Sequence, residues 1–194
     1  MSLVNGGHPY QTETHRLETL IIENQAVMKK ILLIGLMILA SVAAEAQIAK
    51  FQALYLLQFA KNTSWPQEDN GKPFVITVVG DNALASELKT IASNKSVGNR
   101  KVSVVEAVSA SGLTKSDIIY LGESKSSQMS SLVSAQSGNK VLIVGGSKGL
   151  CANGAGITFV PEGGKLLFEI NEANISRNGL KVAPKIVQLG RQVF

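Results

Sequence analysis

Residues 74–92 read FVITVVGDNALASELKTIA: a strand, a turn and a helix in immediate succession. Phe74–Val79 is a near-continuous run of β-branched and aromatic residues, as expected of a strand buried on both faces. Gly80-Asp81-Asn82 breaks the run, and Asp81 or Asn82 can cap the next helix. Leu84, Leu88 and Ile91 then recur at i, i+4 and i+7, the period of a helix.

The alternation continues outward from this unit. Lys101–Glu106 is predicted to be a second strand and Asp117–Leu121 a third. Ser124–Ala135, with Met129, Leu132 and Val133 on one side, is predicted to be a helix, and Lys140–Val144 a fourth strand. Upstream, Ile48 to Asn62 carries Phe51, Leu54, Tyr55 and Phe59 near helical spacing. That helix should stop before Trp65-Pro66, because a proline disfavours helix at the preceding residue. From Gly154 the pattern changes. Ile157–Val160 and Leu166–Ile170 flank Pro161-Glu162-Gly163-Gly164 and read as a hairpin. A short helix over Asn171–Asn178, with Asn171 as N-cap, and a last helix from Pro184 through Leu189 complete the chain. Strands alternating with helices predict an α/β fold. The expected architecture is a single domain with a mixed, mostly parallel sheet, helices on both faces and a late antiparallel hairpin.

The chain has 194 residues, 45% hydrophobic and 17% charged, which is ample for a packed core. Met28-Lys29-Lys30, the apolar run Ile31–Ala44 and Ala44-Glu45-Ala46 form the three parts of a secretory signal peptide, cleaved before Gln47. An uncleaved anchor and a buried helix are the alternatives. The run is shorter than the roughly 18–20 residues of a spanning helix. Residues 1–27 precede a complete signal and read as a mis-called extension, with a cytoplasmic tail as the alternative. The predicted division is therefore 1–27 extension, 28–46 signal and 47–194 domain. Removing residues 1–46 leaves 148 residues with 16 basic and 10 acidic side chains, a net charge of +6, one Cys and no His.

That inventory restricts the chemistry. Without His there is no Ser-His-Asp or Cys-His arrangement and no His-ligated metal, and one Cys can form neither an internal disulfide nor a cysteine zinc site. No catalytic residues, metal ligands or cofactor are expected. Gly145-Gly146-Ser147-Lys148-Gly149 follows a strand, but neither phosphate-loop nor dinucleotide spacing is present. The carboxyl edge of an open α/β sheet is where ligands bind, which makes Gly80, Gly122, Gly145 and Ser147 the ligand-edge candidates. Cys151 reads as an inert thiol, Glu169 and Glu172 as solvated or capping carboxylates, and Trp65 as a packing residue. Arg100-Lys101 and Lys181–Lys185 are short basic runs without interleaved aromatics, so no nucleic acid is expected.

Several segments, in their order and spacing, resemble the YfiR-like family of exported bacterial proteins. They are Phe59-Ala60-Lys61 with Trp65-Pro66, Phe74–Asp81, Ile118–Ser124, Gly154–Val160, Leu167-Phe168-Glu169-Ile170-Asn171, Gly179-Leu180-Lys181 and Ile186–Leu189. The resemblance covers about residues 50–193. It implies a soluble periplasmic regulator rather than an enzyme. Such proteins bind the periplasmic sensor region of an inner-membrane diguanylate cyclase and hold it inactive. Envelope or redox stress releases the cyclase, raising cyclic-di-GMP and biofilm formation. Family members can dimerise, and some copies are linked to sensor kinases. Well-studied members carry cysteine pairs, whereas this chain has Cys151 alone. The expected contact surface is the C-terminal segment, with Glu169, Arg177, Leu180, Lys181 and Ile186. The alternative for Leu180 and Ile186 is the core. The alternative function is a small-molecule sensor module.

Overall fold

The computed structural model describes residues 28–30, 32, 47–65, 71–113 and 115–194. The proposed extension and most of the proposed signal segment, with its cleavage site, lie outside the described residues. Ala46–Phe194 is one compact unit; of the other, Met1–Glu45, the described residues are helical. Among the described residues no helix is long and apolar enough to cross a membrane.

Helix α1 spans residues 47–61. Side chains just beyond it satisfy its last carbonyls: Asn62 Nδ2 donates to Gln58 O (2.7 Å), Thr63 Oγ1 to Phe59 O (2.8 Å) and Trp65 Nε1 to Ala60 O (2.8 Å). The chain then forms β1 (Thr63–Ser64), β2 (Phe74–Val79), α2 (Asn82–Ala92), β3 (Ser96–Val97), β4 (Arg100–Ala107) and β5 (Ile118–Leu121). Asp81 is the cap of α2, its Oδ1 accepting from the Leu84 amide at 2.9 Å. Next come α3 (Met129–Ala135), β6 (Leu142–Gly145), β7 (Ile157–Glu162), β8 (Lys165–Ile170), α4 (Glu172–Arg177), β9 (Lys181–Val182), α5 (Pro184–Leu189) and β10 (Arg191–Gln192).

The main sheet has eight strands in the order β10-β8-β7-β6-β5-β2-β4-β3; β1 and β9 form a separate antiparallel pair. β4, β2, β5, β6 and β7 run parallel, β7 and β8 form the antiparallel hairpin, and β3 pairs antiparallel with β4. β2 lies between β5 and β4. The chain leaves it towards β4 and returns to its other side at β5, so the strand order reverses between β2 and β5. Side-chain alternation divides the core in two. Phe74, Ile76 and Val78 join α1, α2, α4 and α5 on one face. Val79, Ile119, Leu121 and Ile143 pack with Met129 and Leu132 of α3 on the other.

The mostly parallel α/β sheet with its late hairpin is thus observed, with local differences. Residues Glu123–Gln128 form a 3-10 turn, and only Met129–Ala135 is α-helical. Serines in that turn bond nearby backbone instead of extending the helix: Ser126 Oγ donates to Glu123 O at 2.6 Å. The hairpin turn is Gly163-Gly164 alone, both with positive φ, and Pro161 and Glu162 belong to β7. In α1, Phe51 and Leu54 face outward, while Ala53, Leu56, Phe59 and Ala60 fill the core. The helix is apolar on more than one side, so spacing alone could not choose its inner face.

Candidate functional site

Gly80 and Gly122 meet where the strand order reverses, and Gly145 ends the next strand, β6. Gly122 lies so close to β2 that a Cβ there would stand 2.8 Å from Gly80 O. Ser124 Oγ donates to Gly80 O (3.1 Å), and the hydroxyls of Ser126 and Ser147 lie 2.8 Å apart, tying the loops after β5 and β6. The space between the loops is filled. The Lys125 stem lies over Gly80, Leu150 over Gly145, and the Tyr120 hydroxyl against Gly146. Tyr120 is fully buried; its hydroxyl donates to Asp81 Oδ2 and accepts from Gln52 Nε2, both at 3.3 Å. Burial first, and then the Asp81 charge, push its phenol well above the ordinary value, so it stays a neutral donor. This edge links α1, α2 and β5 through one buried polar cluster.

The hairpin supplies a second polar group beneath the sheet. Glu169 and its cross-strand partner Thr158 are both buried. Glu169 Oε2 accepts from the Gly149 amide at 3.3 Å, and Cys151 Sγ lies 3.3 Å from Thr158 Oγ1. Glu169 therefore holds the Gly145–Gly149 loop to the hairpin. Burial, helped by the Glu169 charge, pushes the Cys151 thiol from 9.0 up to about 11. Because the folded-state value is raised, the part of the stability linked to this thiol is fully present below about pH 9 and is lost as pH climbs through about 11. The thiol is also protected from reagents. An aryl disulfide should modify native Cys151 at least about a hundredfold more slowly than the denatured chain at pH 8. Equal rates would mean that the thiol is open to solvent.

The C-terminal candidates separate by burial. Leu180 (1% exposed) and Ile186 (5%) lie in the core cluster, and Glu169 is tied to the Gly149 amide. Arg177 and Lys181 are exposed; Arg177 Nη1 donates to Asn174 Oδ1 at 3.2 Å. Asn171 caps α4 through Asn174 N (2.9 Å).

An exposed apolar stripe on this face was not singled out from the sequence. Ile48, Phe51 and Leu54 form an exposed stripe at i, i+3 and i+6 along α1. Leu189 at the end of α5 is 72% exposed. The Phe168 ring connects these two regions. The Tyr55 ring stands 5.6 Å from it, and Gly190 approaches so closely that a Cβ there would lie 2.6 Å from its Cε2. Leu54 and Leu189 thus each adjoin a residue seated on one ring. The apolar residues on both sides of α1 were the available signal.

Among the described residues no group of three or more His, Cys, Asp or Glu could hold a metal ion. No curated protein matches the sequence. A solved structure, a conserved domain protein from Vibrio cholerae O1 biovar El Tor, is similar with a TM-score of 0.50 and 15% identity; the match covers 74% of this chain and 59% of that one. The chain therefore spans about three-fifths of that neighbour, and the likeness is one of fold. The YfiR/HmsC-like family model matches residues 49–191, from the first turn of α1 to the first residue of β10. With this match spanning nearly all of the unit that carries the sheet, the chain belongs to the YfiR/HmsC-like family.

Proposed function

We propose that this chain is exported, cleaved before Gln47, and docks on the periplasmic sensor region of an inner-membrane signalling protein. The partner is a diguanylate cyclase, which the docked chain holds inactive. The family is one of periplasmic regulators, which supports this reading. The observation that carries it is the exposed stripe Ile48, Phe51 and Leu54, with Leu189 on the same face of the sheet. Large apolar side chains lined up along one helix are the usual centre of a protein interface, and charges form the rim. Exposed Arg177 and Lys181 supply rim cations in the C-terminal segment.

The test is co-purification of the tagged chain from its own membranes. A membrane receptor with a periplasmic domain should be recovered. Phe51→Asp with Leu54→Asp should cut that recovery at least about tenfold, as loss of an apolar hot spot does, with no change in Tm. Recovery of no receptor overturns the proposal. Recovery of a second copy alone would assign the stripe to a homodimer instead.

A further inference from the structure

Among the described strands β4 (Arg100–Ala107) is the longest, and one of its edges is only partly covered. The inner edge pairs with β2 from Val102 to Ala107. On the outer edge β3 meets Arg100 and Lys101, and the Val102 amide donates to Lys95 O at 3.0 Å. Among the described residues no strand lies against the rest of that edge. The start of the strand is fixed by a clamp. Arg100 donates to Lys72 O (3.2 Å), to Pro73 O (2.7 Å) and to both carboxylate oxygens of Asp117 (2.8 and 2.6 Å).

Alternation gives the direction of each backbone group beyond the clamp. The Ala107 carbonyl accepts from the Gly80 amide (3.0 Å), so it points towards β2, whereas the Val102 amide points towards β3. Ser103 and Val105 therefore turn their N–H and C=O groups to β2, and Val104 and Glu106 turn theirs outward. An open row of such groups is a template for another strand. The usual protections are sparse. Ser103–Ala107 holds no proline, and its one charged side chain, Glu106, is bonded to Lys89 of α2 at 2.9 Å. Val105 lies on the opposite face from Glu106 and is 36% exposed, and Val108, just past the strand, is 85% exposed.

The spacing of the outward groups selects the occupant. Turned about a two-fold axis at Val105, the segment is complementary to itself. Val104 of one copy then faces Glu106 of the other, and each such pair exchanges both of its N–H···O bonds. Val105 faces Val105 across the axis. An axis at Glu106 would set like charges directly opposite each other, which is destabilising. An axis at Val104 would set Glu106 against Val102, whose amide already bonds Lys95. One antiparallel register thus uses every outward group and opposes no like charges.

We infer that the outer edge of β4 is an interaction surface for a second copy of this chain. The two copies join edge to edge about Val105, and their main sheets become continuous. The contact is isologous, the same patch on both copies. It does not use the α1 stripe and does not depend on the docking reading.

The test combines sedimentation of the chain with disulfide trapping. The chain should pass from monomer to dimer as its concentration rises. Val105→Cys should form a covalent dimer under mild oxidation, because directly opposed residues of this pair type stand about 4.5 Å apart at Cα. Val108→Cys is more exposed but faces Val102 of the other copy, so it should be trapped at least about tenfold more slowly. Cys151 is buried and adds no background. Val105→Lys places like charges across the axis and should raise the dimer's Kd at least about tenfold. Its Tm in dilute solution should match that of the unchanged chain, since the side chain is exposed. Phe51→Asp with Leu54→Asp should leave this dimer intact. The inference is overturned if the chain stays monomeric up to about 1 mM, or if Val105→Lys dimerises as the unchanged chain does. It is equally overturned if Val108→Cys is trapped as fast as Val105→Cys, or if the α1 double variant abolishes the dimer.

Discussion

Phe59→Ala should lower the unfolding free energy by about 3–5 kcal/mol, the usual cost of removing a buried aromatic ring. Phe59 is 0% exposed and lies at the join between α1 and the hairpin. Its ring stacks on Tyr55 and Phe159, each at 5.9 Å, and meets Phe168 edge-on at 5.1 Å. Tyr55 and Phe168 are themselves in contact, so the four rings form one cluster. Phe159 and Phe168 are a cross-strand pair whose backbones are fixed by the hairpin register. They cannot close over the gap, so the cavity persists and its cost adds to the lost transfer energy. Urea denaturation should show a lower midpoint with an unchanged m-value. A loss below about 1.5 kcal/mol would mean that the site collapses freely and that the ring cluster is not rigid. Because total stability is about 5–15 kcal/mol, this variant should also lower the amount of folded protein. Phe51→Asp, on the outer side of the same helix, should not.

Asp117→Ala should cost about 3 kcal/mol, because it strands a partly buried guanidinium and a backbone donor together. Asp117 and Arg100 side chains are 18% and 21% exposed. Arg100 donates to both carboxylate oxygens, and the amide of Val75 near the start of β2 donates to one of them. The clamp thus ties β2, β4 and the entry to β5 at the amino edge. Arg100→Lys should lose most of the same stability. A lysine is a point charge and cannot serve four acceptors in a fixed plane. The exposed pair Lys89–Glu106, at 49% and 37%, is the internal comparison. Lys89→Ala should change stability by less than about 0.5 kcal/mol. Equal effects at the two pairs, measured by urea denaturation, would show that the clamp is no more than a surface contact.

Much of the architecture was legible from local pattern. Phe74–Val79 is the observed β2 to the residue, because an apolar β-branched run bounded by Pro73 and Gly80 has only one comfortable state. Asn171 and Pro184 mark helix starts through chemistry confined to one turn. The two-residue strands β1, β3, β9 and β10 were not legible. They are too short to show a period, and they exist because distant chain segments pair. Thr63 meets Val182, and Arg191 meets Glu169.

The site obeyed the same rule. Composition and spacing were enough for the α/β class and the solitary cysteine, since these depend on residue identity and near neighbours alone. Which side of α1 faces water, that Leu180 and Ile186 lie inside, and that Glu169 grips the Gly149 amide depend on what packs opposite each residue. So does the Arg100–Asp117 pair, whose members lie at the starts of different strands. A local periodicity records that a residue can be buried; only long-range packing selects which of several apolar faces is buried and which charges share a space.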